Sequence, residues 1–220
     1  MKLIVFDFDG VIADSEMLAN RVLAELLTEL GVPMTVEQSM QTFMGKRAED
    51  LIATVAALNP TMPGAQFAAE LTQRTLGRFR RELREIPGVR DYLAAFPQMK
   101  RCIASSSSPD RLAACLDILD LAEAFGEHVY SASMVPRGKP HPDLFLHAAA
   151  RLGVAPPDAL VIEDSEGGVR AAVAAGMTPI GFLAASHVRD GHEARLRGAG
   201  AAHVARSYAE LETITRRLAR

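Results

Sequence analysis

The sequence predicts an α/β protein: a parallel sheet core interrupted, after its first strand, by an inserted all-helical cap. Three observations predict this. The chain opens on an apolar run, Leu3-Ile4-Val5-Phe6 and then Phe8, that reads as a buried strand. Residues 16–85 then show only helical periodicity. From residue 86 onward short apolar runs alternate with helical patterns, which right-handed crossovers turn into a parallel, Rossmann-like sheet. The expected division is 1–15 with 86–220 for the core and 16–85 for the cap, with hinges near Ala13–Glu16 and Glu82–Gly88.

Taken in order, residues 2–8 are the first strand. Leu18, Val22, Leu26 and Leu30 recur every fourth residue, with Leu23 and Leu27 beside them, so an amphipathic helix follows. Asp14 or Ser15 can cap its start, and Gly31 and Pro33 end it. Thr35-x-x-Gln38 has the form of a capping box and opens a second helix. "RAEDLIATVAAL" and "AQFAAELTQRTLGRFRREL" complete the cap; Arg74, Arg78, Arg81 and Arg84 read as its solvated face. After "IPGV", "RCIAS", "HVYSA", "ALVIED", "TPIGFL" and "AHVA" read as strands. "DRLAACLDIL", "PDLFLHAAARLG", "EGGVRAAVAAG" and a segment from Tyr208 read as helices between and after them.

Composition narrows the function. At 220 residues, 49% hydrophobic and 23% charged, the chain has material for a sizeable core. A net charge of −3 offers no nucleic-acid footprint, and no apolar run is long enough to span a bilayer. The opening apolar run stops at Asp7, unlike a signal peptide, and Cys102 and Cys115 form no metal or redox motif. The expectation is a cytoplasmic, monomeric protein with reduced thiols, acting on a small molecule and not on membranes or nucleic acid.

The chemistry collects at the carboxyl ends of the strands, where open parallel sheets bind ligands. Asp7 and Asp9 end the first strand and crowd two charges into a site where burial penalises them; a bound cation is the simplest compensation. The second strand ends in Ser105-Ser106-Ser107-Ser108, the segment after the third carries Gly138-Lys139-Pro140, and a later strand ends in Glu163-Asp164-Ser165. Carboxylates suit Mg²⁺, while a lysine, hydroxyls and loop amides suit a phosphate. His141 reads as a loop residue, and His128, His147, His187, His192 and His203 carry no pattern. "GAGAAH" lacks the third glycine and the context of a dinucleotide loop, and no P-loop is present.

In order and spacing, "DFDGVIADS", "IASSSS", "GKPHPD" and "VIEDSEGG" resemble the four motifs of the haloacid dehalogenase superfamily, in its subfamily with a small helical cap. The resemblance covers essentially the whole chain and extends to sugar-phosphate phosphatases and β-phosphoglucomutases. It implies Asp7 as the nucleophile that becomes an aspartyl phosphate, and Asp9 as general acid and then general base. It implies Ser105, Ser106 and Lys139 as phosphate ligands, and Asp7, Asp9 (through its carbonyl), Asp164 and Glu163 around Mg²⁺. Substrate specificity is expected in the cap, at Glu16, Arg21 and the loop residues Gly45, Lys46 and Arg47. The second aspartate argues against dehalogenase chemistry. The mutases usually carry a histidine where this chain has Ala19, a lysine where it has Met44, and an arginine where it has Ala48. Hydrolysis of a small sugar, sugar-acid or polyol phosphate is therefore expected over mutase chemistry or a non-catalytic binding role.

Overall fold

The computed structural model describes residues 1–43, 48–58 and 63–219. They form two compact units, Met1–Asp14 with Arg84–Arg220, and Ser15–Leu83. In the first unit six strands make one sheet: β1 (Leu3–Phe6), β2 (Lys100–Ser105), β3 (Val129–Ser131), β4 (Ala159–Glu163), β5 (Thr178–Phe182) and β6 (His203–Ala205). Their order is β3-β2-β1-β4-β5-β6, and every neighbouring pair is parallel. The chain builds outward from β1 to β3 and then returns to the other side of β1 with β4. The strand order thus reverses between β1 and β4, the switch point at which such sheets open a crevice.

β1 is shorter than the apolar run that announces it. Asp7 N–H still donates to Ile162 carbonyl at 3.0 Å, but the chain then turns: Ile12 and Ala13 both donate to Phe8 carbonyl, at 2.9 and 3.0 Å, and Gly10 donates to Ala13 carbonyl at 2.8 Å. Gly10 takes φ +78°, which an L side chain resists. Along β1 the faces alternate, as period two requires. Leu3 and Val5 join a core with Cys102, Leu144, Phe145, Ala148 and Val161. Phe6 meets Tyr92 and Phe125 edge-on, with centroids 6.0 and 5.7 Å apart.

The second unit holds α1 (Glu16–Glu29), α2 (Val36–Phe43), α3 (Ala48–Leu58) and α4 (Gly64–Glu82). Leu23, Leu26, Leu27, Phe43, Val55 and Phe67 form its apolar centre. Inside it a buried polar link joins α2 to α1, Ser39 Oγ donating to Asn20 Oδ1 at 2.9 Å. The capping box forms: Thr35 N–H donates to Gln38 Oε1 at 2.8 Å, and Gln38 N–H to Thr35 Oγ1 at 3.2 Å. The expected cap of α1 does not. Ser15 sits at the N-cap position with helical dihedrals and no side-chain cap bond, and the Asp14 carboxylate is used elsewhere. Arg74 and Arg78 are ion-paired, to Glu29 and Glu70 at 2.6 Å each and to Glu25 at 2.8 Å.

The first unit adds α5 (Val89–Ala95), α6 (Pro109–Ile118), α7 (Ala122–Phe125), α8 (Asp143–Arg151), α9 (Glu166–Ala174), α10 (His192–Ala199) and α11 (Tyr208–Leu218). Serine caps three of them: Ser108, Ser165 and Ser207 accept from the N–H of Arg111, Gly168 and Glu210. α5 and α7 are too short to show a period, and α10 buries only His192, Leu196 and Ala199, so the sequence shows no stripe there. Among the described residues no helix is long and apolar enough to cross a membrane.

Candidate active site

The site lies at the switch point. Asp7 is the first residue beyond β1, Glu163 ends β4, and Asp164 follows it. The register pairs Phe6 with Ile162, which sets Asp7 beside Glu163. Asp7, Glu163 and Asp164 are all buried, and each offers a carboxylate oxygen within 4.8 Å of the others. Lys139, from the loop before α8, reaches into this cluster. Its Nζ lies 2.7 Å from Asp7 Oδ1 and 2.5 Å from Glu163 Oε1, and 5.0 Å over the ring of Phe145. The second Glu163 oxygen accepts from Ser165 N–H at 3.1 Å and Ser165 hydroxyl at 2.8 Å. A Cβ on Gly168 would fall 1.8 Å from Glu163 Oε1, so only glycine leaves room for this arrangement at the start of α9.

Three carboxylates around one lysine leave net negative charge in a dry place. Burial pushes the Asp7 carboxyl well above the usual carboxylate range; Lys139 pulls it back, but Glu163 and Asp164 add to the rise. Burial likewise raises Asp164, with Glu163 reinforcing it and Lys139 opposing. Lys139 moves the other way from a buried amine: burial works to lower its pKa, and the contacts with Asp7 and Glu163 more than reverse that. Asp7 and Lys139 are both raised because each answers to its full surroundings and not to the other alone.

Asp9 occupies the next position outward. Its Oδ1 accepts from Arg111 Nη2 at 2.7 Å and its Oδ2 from Ser107 hydroxyl at 2.6 Å. Ser105 is buried at the end of β2, and its Oγ accepts from Ser107 N–H at 3.1 Å. Ser131 hydroxyl donates to Ser107 carbonyl at 2.7 Å, so β3 braces the serine loop. Ser106 is exposed.

Asp164 is gripped from the far side by a loop that follows β5. His187 Nε2 lies 3.2 Å from Asp164 Oδ2, and His192 Nε2 lies 2.6 Å from Asp164 carbonyl. Both rings are buried. Burial lowers the pKa of His192, with the bond to the Asp164 carbonyl opposing; because a carbonyl only accepts, His192 Nε2 carries the hydrogen in that bond. A Cβ on Gly10 would lie 1.8 Å from Asp164 Oδ2 and 2.9 Å from His187 Cε1, so the glycine of the first turn makes space for the pair. The carboxylate of Asp14 accepts from Ser186 N–H and Oγ at 3.1 and 2.8 Å and anchors the same loop.

The tertiary structure therefore brings Asp7, Lys139, Glu163 and Asp164 into contact and places Ser105 at the end of the neighbouring β2 and Asp9 two residues beyond Asp7. Glu16 and Arg21 belong to the helical unit, where Glu16 accepts from Asn20 and Arg21 pairs with Glu82 at 4.0 Å. Gly45, Lys46 and Arg47 lie outside the described residues. Ser107 belongs to the serine run the sequence singled out, with no role assigned to it; three contributors escape the sequence reading altogether: Arg111, His187 and His192. Arg111 did leave a trace, a cation in the first turn of α6, where the helix dipole disfavours it. The two histidines left none, because a loop and a weakly amphipathic helix carry no period.

A buried oxygen-donor cluster with unbalanced negative charge fits a small hard cation. Residues 1–176 match the sequence model of a hydrolase family described as haloacid dehalogenase-like hydrolase. The chain is 32% identical over 183 residues to hexitol phosphatase B of Escherichia coli strain K12, covering 80% of this chain and 81% of that protein. A haloacid dehalogenase-like protein of unknown function from Agrobacterium tumefaciens superposes with TM-score 0.86 and 37% identity over 100% of both chains. A HAD family hydrolase from Deinococcus radiodurans, solved with bound phosphate and sodium, gives TM-score 0.82 and 34% identity over 100% of this chain and 96% of that one.

Proposed function

Because the chain belongs to the haloacid dehalogenase-like hydrolases, we propose that it is a Mg²⁺-dependent phosphatase of small sugar or polyol phosphates. The observation that carries the reading is the buried Asp7–Lys139–Glu163 contact beside Asp164, at the switch point of the sheet. Asp7 and Asp164, with the carbonyl of Asp9, would hold the cation, which when bound offsets the charge of the phosphoryl group and of the acids. Both oxygens of Glu163 are already engaged, so its contribution runs through Lys139.

In the first half-reaction a carboxylate oxygen of Asp7 attacks phosphorus, the bond to the ester oxygen breaks, and Asp9 gives its proton to the leaving alcohol. In the second, water attacks the aspartyl phosphate, Asp9 takes a proton from it, and inorganic phosphate and free Asp7 result. Lys139 and Ser105 stabilise the spread charge on the phosphoryl oxygens. Asp9 starts as the partner of Arg111 and Ser107, so its acid role includes exchanging those contacts for the substrate.

The test is phosphate release from a panel of sugar, sugar-acid and polyol phosphates with Mg²⁺, with Asp7→Asn as the control. Turnover of at least one such ester, lost in the variant and after chelation, is expected. Efficient conversion of β-glucose 1-phosphate to glucose 6-phosphate, with its bisphosphate supplied, would reassign the protein to mutase chemistry.

A further inference from the structure

We propose that His187 is a positioning residue for Asp164: its Nε2–H holds one carboxylate oxygen, so that the other faces the cation. The inference rests on the metal reading above. Three observations point the same way. His187 Nε2 lies 3.2 Å from Asp164 Oδ2, with the two side chains 2% and 8% exposed. The backbone of Asp164 is held independently, because its carbonyl accepts from His192 Nε2 at 2.6 Å. The turn opposite is cut away to admit the pair, since any Cβ on Gly10 would overlap Asp164 Oδ2 at 1.8 Å and crowd His187 Cε1 at 2.9 Å.

The physical need is plain. Asp164 is the first residue beyond β4, with no strand partner to fix its side chain, and its carboxylate can rotate about two bonds. Near two other acids it is driven to turn away from them. A buried N–H donor aimed at one oxygen removes the rotation and leaves the other oxygen to meet the cation. The donor must itself be held, and it is: Ser186, its chain neighbour, is tied through N–H and Oγ to Asp14 at 3.1 and 2.8 Å, and Val188 N–H donates to Ala185 carbonyl at 3.1 Å. The loop is thus anchored on both sides of the ring. An imidazole is suited to the task, being a rigid donor that reaches across from a different strand end.

The experiment measures Mg²⁺ binding to the metal-free protein by titration calorimetry, and separately the Mg²⁺ dependence of phosphate release. His187→Ala and His187→Leu remove the donor; His187→Gln keeps an N–H at similar reach. Loss of an outer partner typically weakens a metal about 10–100-fold. That weakening is expected for Ala and Leu, in calorimetry and in the half-saturating Mg²⁺, with KM for the ester unchanged and kcat largely restored at saturating Mg²⁺. Gln is expected to rescue most of the affinity. A folded Ala or Leu variant that binds Mg²⁺ like the wild type would overturn the inference. So would loss of the native near-ultraviolet spectrum in both, which would make His187 a packing residue of the loop. Failure of the wild type to bind Mg²⁺ would overturn the metal reading itself, and is distinguishable because it needs no variant.

Discussion

Lys139→Met isolates the central electrostatic feature. The wild-type ammonium is 6% exposed and contacts two carboxylates, at 2.7 and 2.5 Å, with the Asp164 carboxylate in the same cluster. Methionine keeps the length and apolar stem but leaves three buried acids without their cation. Removing one partner of a buried ion pair costs about 3–5 kcal/mol. For a chain of this size about 2–4 °C of Tm corresponds to each kcal/mol, so a fall of roughly 6–20 °C is expected at neutral pH without Mg²⁺. The pH dependence has a definite sign. Without the lysine Asp7 and Asp164 are ionised only at a cost, so the deficit grows as pH rises through their titration and shrinks as they protonate in acid. In the wild type the native pKa of Lys139 lies above its ordinary value. Its stabilisation is therefore complete below about pH 10.4 and is lost as pH rises through the native value. Mg²⁺ should raise Tm more in the variant than in the wild type, because it supplies the missing charge. The assay is calorimetric unfolding of both proteins from pH 4.5 to 8, with and without Mg²⁺. A difference under about 2 °C at pH 7, or one that widens in acid, would refute the reasoning.

Three further outcomes follow from the same coordinates. Asp164→Asn removes a carboxylate whose native pKa is raised, so the metal-free variant should gain about 1–2 kcal/mol at pH 7; the gain should fade as pH drops toward the ordinary carboxylate range, and calorimetric Mg²⁺ binding should be lost. Gly10→Ala meets both a φ of +78° and the overlap with Asp164, so a loss of at least about 2 kcal/mol in chemical denaturation is expected, together with most of the activity. Thr35→Ala deletes half of the capping box in the helical unit and should cost about 1 kcal/mol there, read by local hydrogen exchange in α2, with Mg²⁺ binding unchanged.

Much of the first unit was legible because its signals are short-range. Each sheet strand is a run of apolar residues with a turn or cap signal at its end; β1, β3, β4, β5 and β6 lie within their expected runs, and β2 starts one residue early, at Lys100. Bounds slipped where a turn intervened, as at Phe6, where the chain bends around Phe8 carbonyl before the apolar run is spent. The Thr35–Gln38 box was readable for the same reason, since both partners lie within one helical turn. The cap of α1 was misread because Asp14 answers to Ser186, a partner 172 positions away.

What the sequence by itself determined is the set of strand ends and adjoining loops and the chemistry they carry: acids at 7, 9, 163 and 164, serines from 105 to 108, and a lysine at 139 in the loop before α8. Those follow from local pattern, because a parallel strand places its last residues and the loop that follows at the carboxyl end of the sheet whatever else surrounds it. Only the tertiary structure decided who meets whom. The parallel register set Asp7 beside Glu163, two crossovers delivered Lys139 and Arg111 to different acids, and the loop after β5 and the start of α10 brought His187 and His192 onto Asp164. These contacts join segments far apart in the chain. Their energy depends on burial and on distances of a few ångströms, and neither is a property of any one segment.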